Sequence, residues 1–170
     1  MDSIEVLERS VSITPVPNVE AREKILTLEA NIKEFNRVHE LPEPDCPLTH
    51  HFAPGAYGRE IFIPADTLVV GKIHKHAHLN MLMQGKVSVA TEDGVKSYQA
   101  PMVMVSRAGT KRVVYAHTDT IWVTVHLTDS QDLEEIEEQI IAKTFEEFDA
   151  LHGIDMPALI AHVDAQKEAV

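Results

Sequence analysis

Three histidines at next-but-one spacing, His74, His76 and His78, are followed at the same interval by Asn80 in the run Gly71-Lys72-Ile73-His74-Lys75-His76-Ala77-His78-Leu79-Asn80, and Gly85 closes the segment. Side chains of an extended segment alternate with period two, so these four would share one face, with neighbours about 6–7 Å apart. Neutral imidazole is the commonest metal-ligating side chain, which makes the ladder a candidate site for a divalent ion. Such a centre needs three or more deprotonated ligands converging on one point. One strand can supply two of them, and a third comes from a neighbour. His126 is the best outside candidate, on an expected strand that presents Trp122 and Thr124 to the same side. The expected ligand set is therefore His74 and His78 with one of His76 or His126. A solvated polar sheet face explains the same spacing without an ion.

Stepping out from these residues, 170 residues with 44% hydrophobic and 25% charged side chains suit one domain with helical extensions. A formal net charge of −12 argues against a general nucleic-acid-binding surface. The charge is uneven. Acid concentrates in residues 129–147, whereas residues 72–112 carry Lys72, Lys75, Lys86, Lys96, Arg107, Lys111 and Arg112 against only Glu92 and Asp93. A small anionic ligand fits that basic centre. Cys46 is the single cysteine, so no intrachain disulfide forms and a reducing compartment is expected. The start of the chain is acidic and mixed, unlike a signal peptide, and no apolar stretch approaches the roughly 18 residues of a membrane span. A soluble, cytoplasmic protein is expected.

Three zones position the candidate residues. In residues 1–47, Ile25, Leu28, Ile32 and Phe35 form one helical stripe behind Pro15, Pro17 and the N-cap candidate Asn18, and Pro42, Pro44 and Pro47 end it. Residues 48–128 read as about seven short strands with turn punctuation, one of them continuous over residues 67–78. Strands in series with no helix between them indicate an antiparallel sandwich or barrel. From residue 129 the helical period returns. Thr128 and Gln131 form a capping-box pattern ahead of Leu133, Ile136, Ile140 and Ile141, Gly153 closes a short helix over residues 145–151, and Pro157 opens a last one. The acidic run is expected to be a solvated helix face.

The middle zone resembles the cupin superfamily, most closely the short cupins of bacteriophages. The first cupin signature has a glycine, two histidines one residue apart, a glutamate and, after six more residues, a glycine. Anchored on Gly85, the glutamate position falls on His78, the second histidine on His74 and the first on Lys72. The second signature, anchored on Gly109, puts Arg107 at the proline and Arg112 at the histidine. The resemblance implies an antiparallel jelly-roll barrel in which Lys72 and Arg112 face a histidine-lined cavity. Neither cation can ligate a metal, so the family's four-ligand site is not carried over intact. An enzyme of this build would use an ion as a Lewis acid for isomerisation, or for oxygen chemistry. The host cytoplasm is the implied location if the gene is phage-borne, and the family's habit of pairing implies a homodimer through the first helix or the outer sheet face bearing Met81 and Met83.

Two site readings stand beside a purely structural barrel. In one, His74, His78 and His76 or His126 hold a divalent metal. In the other, a metal-free pocket uses the histidines and Asn80 as hydrogen-bonding groups while Lys72, Lys111 or Arg112 engages an anion such as a nucleotide-like signal. Tyr115 is a candidate hydrogen-bond donor or general acid, and His117 a candidate rim residue. Glu60 is the carboxylate expected nearest to the cavity cations. Tyr57 and Arg59 could meet the mouth. His50 and His51 precede a turn and are expected to be exposed.

Overall fold

A computed structural model describes residues 18–168; Pro15 and Pro17 lie outside them. Helix α1 (Val19–Val38) starts where expected, with the Asn18 side chain accepting a hydrogen bond from Ala21 N at 3.1 Å. Its apolar stripe is only partly used. Ile25 is buried, but Leu28 is exposed and Phe35 is 56% exposed.

Ten strands follow without a helix: β1 (Leu48–Ala53), β2 (Ala56–Ile63), β3 (Thr67–Val70), β4 (Ile73–His74), β5 (His78–Gln84), β6 (Lys86–Thr91), β7 (Gly94–Gln99), β8 (Met102–Ser106), β9 (Val113–Ala116) and β10 (Thr120–His126). All but β4 form two antiparallel sheets, ordered β1-β2-β10-β5-β8 and β3-β9-β6-β7. The inner faces meet through Ile63, Leu82 and Trp122 on one side and Val87, Val89, Val114 and Ala116 on the other. Burying one such aliphatic side chain is worth about 1.5–3 kcal/mol, so this layer is a main source of cohesion. The junction between β5 and β6 needs Gly85, at φ +97°. A Cβ there would lie 2.7 Å from the carbonyl oxygen of Asp119.

Residues 67–78 are not one strand. β3 pairs with β9 only as far as Val70 with Val113, and Gly71 N then donates to the Arg112 carbonyl at 2.8 Å. The chain next leaves the sheet, and β4 pairs instead with a short strand outside the expected β zone, β11 (Ile141–Ala142). After a bend at residues 75–77 it joins the other sheet as β5, between β10 and β8. The ladder premise therefore fails. His76 sits in the bend and is exposed, off the face it was expected to share with His74 and His78.

The acidic end is also more than a solvated face. Helix α2 (Leu133–Ile140) is capped by Asp132, which accepts from the Glu134 and Glu135 amides, and not by Thr128. It stops before Ile141 so that β11 can pair with β4. Helix α3 (Phe145–His152) ends at Gly153 in the left-handed region, and α4 (Met156–Glu168) follows. Ile73, Ala108, Ala142, Phe145 and Phe148 make a second core beneath β4. Among the described residues no helix is long and apolar enough to cross a membrane.

Arg22 ties the two ends of the chain together. Its Nη1 reaches both Asp149 carboxylate oxygens at 2.9 Å, its Nε donates to Glu92 Oε1 at 3.0 Å, and the guanidinium lies 4.3 Å from the Phe145 ring centroid. All three charged groups are largely removed from water. Removing the cation strands two desolvated carboxylates. Arg22→Ala is accordingly expected to lower the free energy of unfolding by about 3–5 kcal/mol in urea denaturation. A loss near the roughly 0–1 kcal/mol of an exposed pair would contradict this.

Candidate metal centre and adjoining cavity

Because the chain bends at residues 75–77, His74 at the end of β4 folds back over His78 at the start of β5. Backbone contacts fix the bend. Gly109 N donates to the His74 carbonyl at 2.8 Å, and Lys75 N donates to the Ile140 carbonyl at 2.8 Å. Gly109 is at φ +79°, and a Cβ on it would meet the Phe148 ring at 2.6 Å, so only glycine brings that amide so close to His74. Lys75 Nζ reaches the Glu138 carbonyl at 2.8 Å and Glu147 at 2.9 Å, and His152 donates to the Lys75 carbonyl at 2.8 Å.

The third imidazole comes from β10. Val125 pairs with Leu79, so the next residues along, His126 and His78, adjoin across the ladder with both side chains inward. Ring centroids are 4.1 Å apart for His74 and His78, 5.0 Å for His74 and His126, and 4.8 Å for His78 and His126. Each residue offers a ring nitrogen within 4.8 Å of the others. Nitrogens around one ion bound at 2.0–2.1 Å lie about 3–3.5 Å apart, so this grouping is slightly more open than a loaded centre.

Three buried nitrogens here, His74 Nδ1, His78 Nε2 and His126 Nε2, have no hydrogen-bond partner among the described residues. A buried polar group left unpaired costs about 1–3 kcal/mol, and three together at one point could hold one common ion. The tautomer of His78 suits that role. Its Nδ1 donates to the His76 carbonyl at 3.1 Å, which leaves the Nε2 lone pair free. His76 thus contributes its backbone and not its ring.

The electrostatics keep all three rings neutral. Burial pushes His74 far below the ordinary imidazole range, with further lowering from His78, His126, Arg112 and Arg59. Burial also brings His78 down to about 4, against the raising effect of its bond to His76 and with help from Arg112. His126 falls to about 4 through burial, then His78, Arg59 and His76. Neutral imidazole is the form that ligates metals.

His74 also lines a cavity of about 420 Å³ between the sheets, closed over by α2. Arg112 also lines it. It donates to Asn80 Oδ1 at 3.0 Å and to Ser106 Oγ, lies 5.4 Å from the Trp122 ring centroid, and is held down to about 10 chiefly by burial. Asn80, fully buried, also accepts from Trp122 Nε1 at 2.9 Å and donates to Ser106 at 2.8 Å, so it positions Arg112. Lys72 stands at the rim, paired with Glu137 of α2.

The other expected pocket residues are elsewhere. Lys111 is buried in an ion pair with Glu29 of α1 at 2.9 Å. The Tyr115 hydroxyl donates to Asp66 at 2.9 Å, and His117 bonds Ser88 at 2.8 Å; neither lines this cavity. Glu60 faces away, 3.0 Å from His51, and does not neutralise the cavity. Arg59 and Tyr57 are inside it, with Tyr57 hydrogen-bonded to His50 at 2.7 Å. The signal for Arg59 was the alternation Tyr57, Arg59, Ile61, Ile63, which places it on the inward face of β2. The α2 residues that close the cavity carry no such local signal.

No family model and no curated protein matches this sequence. Among solved structures, a cupin domain from Bordetella pertussis Tohama I is 15% identical, covering 51% of this chain and 97% of that one at a TM-score of 0.41. Ectoine synthase from P. lautus is 13% identical over 58% of this chain and 74% of its own, at 0.47. An acetylacetone dioxygenase from Acinetobacter johnsonii is 15% identical over 50% and 61%, at 0.43.

Titration of the triad sets a pH dependence for the chelator-treated protein. The folded-state values lie below the unfolded value of about 6.5, so the unfolded chain binds more protons in between. Stability from this source is complete above about pH 6.5 and is lost as pH falls toward about 4, with a slope of about 1.4 kcal/mol per pH unit for each imidazole. Urea titrations at several pH values should show that slope in the wild type and a shallower one in a His78→Gln, His126→Gln variant. Equal slopes would contradict the assignment.

Proposed function

We propose that this chain is a small cupin-type protein that binds a small polar molecule in the cavity, with a divalent metal held by His74, His78 and His126. The observation that carries the reading is the convergence of three neutral imidazoles whose buried inward nitrogens have no hydrogen-bond partner among the described residues. The donor set fits a borderline metal, three imidazoles with coordination positions left over. Such an ion supplies Lewis acidity toward a ligand oxygen. The chain's own part is to keep the imidazoles unprotonated, to fix their orientation from the bend, and to set Arg59 and Arg112 beside the ligand. The reading places the protein in the cytoplasm, that of a host where the gene is phage-borne.

A metal-free pocket for an anion is the second reading, favoured by Arg59 and Arg112, which have no carboxylate partner among the described residues. Elemental analysis of tag-free protein separates the two. Near-stoichiometric divalent metal, abolished in the His74→Ala, His78→Ala variant, is expected. Metal-free protein whose melting temperature is unchanged by zinc or chelator would leave the anion pocket alone.

Assembly as a homodimer through the outer face of the five-stranded sheet belongs to the same proposal. The cross-strand rows Val103, Met81, Val123 and Val105, Leu79, Val125 lie on that face, where Val103 is 65% exposed and Met83 57%. An apolar sheet face of this kind marks an interaction surface. Light scattering at micromolar concentration should give twice the chain mass, reduced to one chain mass by Leu79→Lys with Val103→Lys. A monomeric wild type would reject the dimer.

A further inference from the structure

The cavity lining combines two guanidinium groups, Arg59 and Arg112, with a majority of aliphatic side chains. Arg112 is locked by neutral partners only, Asn80, Ser106 and the Trp122 face, so its orientation is fixed while its charge stays uncompensated. The Arg59 guanidinium makes no hydrogen bond or ion pair with a described residue. Among the described residues of the lining Glu137 is the one carboxylate, and it is engaged by Lys72 at the rim. The remaining walls are mostly aliphatic, built from Ile61, Ile63, Val70 and Val114 of the sheets with Ile136 and Ile140 of α2. About 420 Å³ stands toward the lower end of ligand-cavity sizes.

These features discriminate among anions. Beyond the arginines and His74, the polar side chains of the lining are already engaged, Tyr57 with His50, Thr124 with the Arg59 carbonyl, Trp122 with Asn80 and Lys72 with Glu137. The several hydroxyl or base groups of a sugar phosphate or nucleotide would find few free partners there, which is penalised. Gly71 is the single glycine in the lining, so there is no glycine-rich loop of amides to cradle phosphate oxygens. A carboxylate needs only one planar, bidentate donor, the geometry a fixed guanidinium presents. Its hydrocarbon body would then be desolvated against the walls.

We propose that the ligand is an amphipathic monocarboxylate, a single carboxylate head on a short aliphatic or aromatic body, seated with the head at Arg112 and Arg59 and the body under α2. This rests on the reading of the cavity as a ligand pocket.

Calorimetric titration of the chelator-treated full chain with octanoate and 3-phenylpropionate tests it, beside acetate, octanamide, glucose 6-phosphate and AMP. Octanoate or phenylpropionate should bind about tenfold or more tighter than each of the other four, the scale of one charge-assisted hydrogen bond or of a buried hydrocarbon body. Arg112→Met should weaken that binding about tenfold or more while leaving octanamide unaffected. If that variant does not fold, by circular dichroism, Arg59→Met carries the same expectation. Tighter binding of glucose 6-phosphate or AMP, or equal binding of acetate and octanoate, overturns the inference and leaves an anion pocket. Equal binding of octanamide and octanoate removes the anionic head as well. If no probe binds, the reading of the cavity as a ligand pocket falls together with the inference, whatever the triad does with metal.

Discussion

The site depends on a three-residue bend whose stability is supplied from far away in the chain. Residues 75–77 carry the backbone from β4 to β5, from the small ladder with β11 into the five-stranded sheet, and the reversal is what stacks His74 on His78. Apart from the His78 Nδ1 bond to the His76 carbonyl, the contacts that hold it come from distant residues. The Gly109 amide, the Ile140 carbonyl, the Glu147 carboxylate and the His152 ring all converge on His74 or Lys75 from the β8–β9 turn and the C-terminal segment. The second core, with Phe148 packed against Gly109, makes that convergence rigid. The acidic C-terminal segment thus serves as the outer support of the histidines, and Arg22 fastens α3 in turn to the first helix and the β6–β7 turn.

Burial and charge act in one direction at the triad. Desolvation penalises the imidazolium, and Arg59 and Arg112 add positive potential that opposes protonation further. The rings are thereby kept as lone-pair donors under ordinary conditions. The same arginines leave the cavity with an excess of positive charge, which suits an anionic head next to the imidazoles whether or not an ion stands between them. Asn80 connects the two parts. It holds the guanidinium of Arg112 and the indole of Trp122 from one fully buried amide, so the position of the cation is set by the core.

Much of this was legible in the sequence because it rests on local rules. Period-two alternation and turn residues placed the strands within residues 48–128, though about seven were expected where ten stand. Asn18 and Gly153 marked helix ends, and the inward alternation of Trp122, Thr124 and His126 made His126 one of two candidates for the third imidazole. The strand division at residues 71–77 was not legible. His74, His76 and His78 alternate as a continuous strand would, and the contacts that break it come from residues 109, 140 and 152. Arg22 was hidden for the same reason, its partners lying 70 and 127 residues away. Lys111 had two destinations of similar chemistry, the cavity or an ion pair on α1, and its sequence neighbourhood does not choose between them. Asp132 replaced Thr128 as cap because it lies directly beside the first helical turn and accepts from two of its amides.

The central claim is that the inward nitrogens of His74, His78 and His126 are neutral, unpartnered and directed at one common ligand. Long-range proton–nitrogen correlation of the histidine rings at neutral pH reads this atom by atom, before and after one equivalent of zinc. The account predicts neutral rings in the metal-free protein, with His78 protonated on Nδ1, and a saturating shift of His74 Nδ1, His78 Nε2 and His126 Nε2 together. Charged rings in the metal-free protein, or a shift confined to exposed histidines such as His76 and His117, would contradict it.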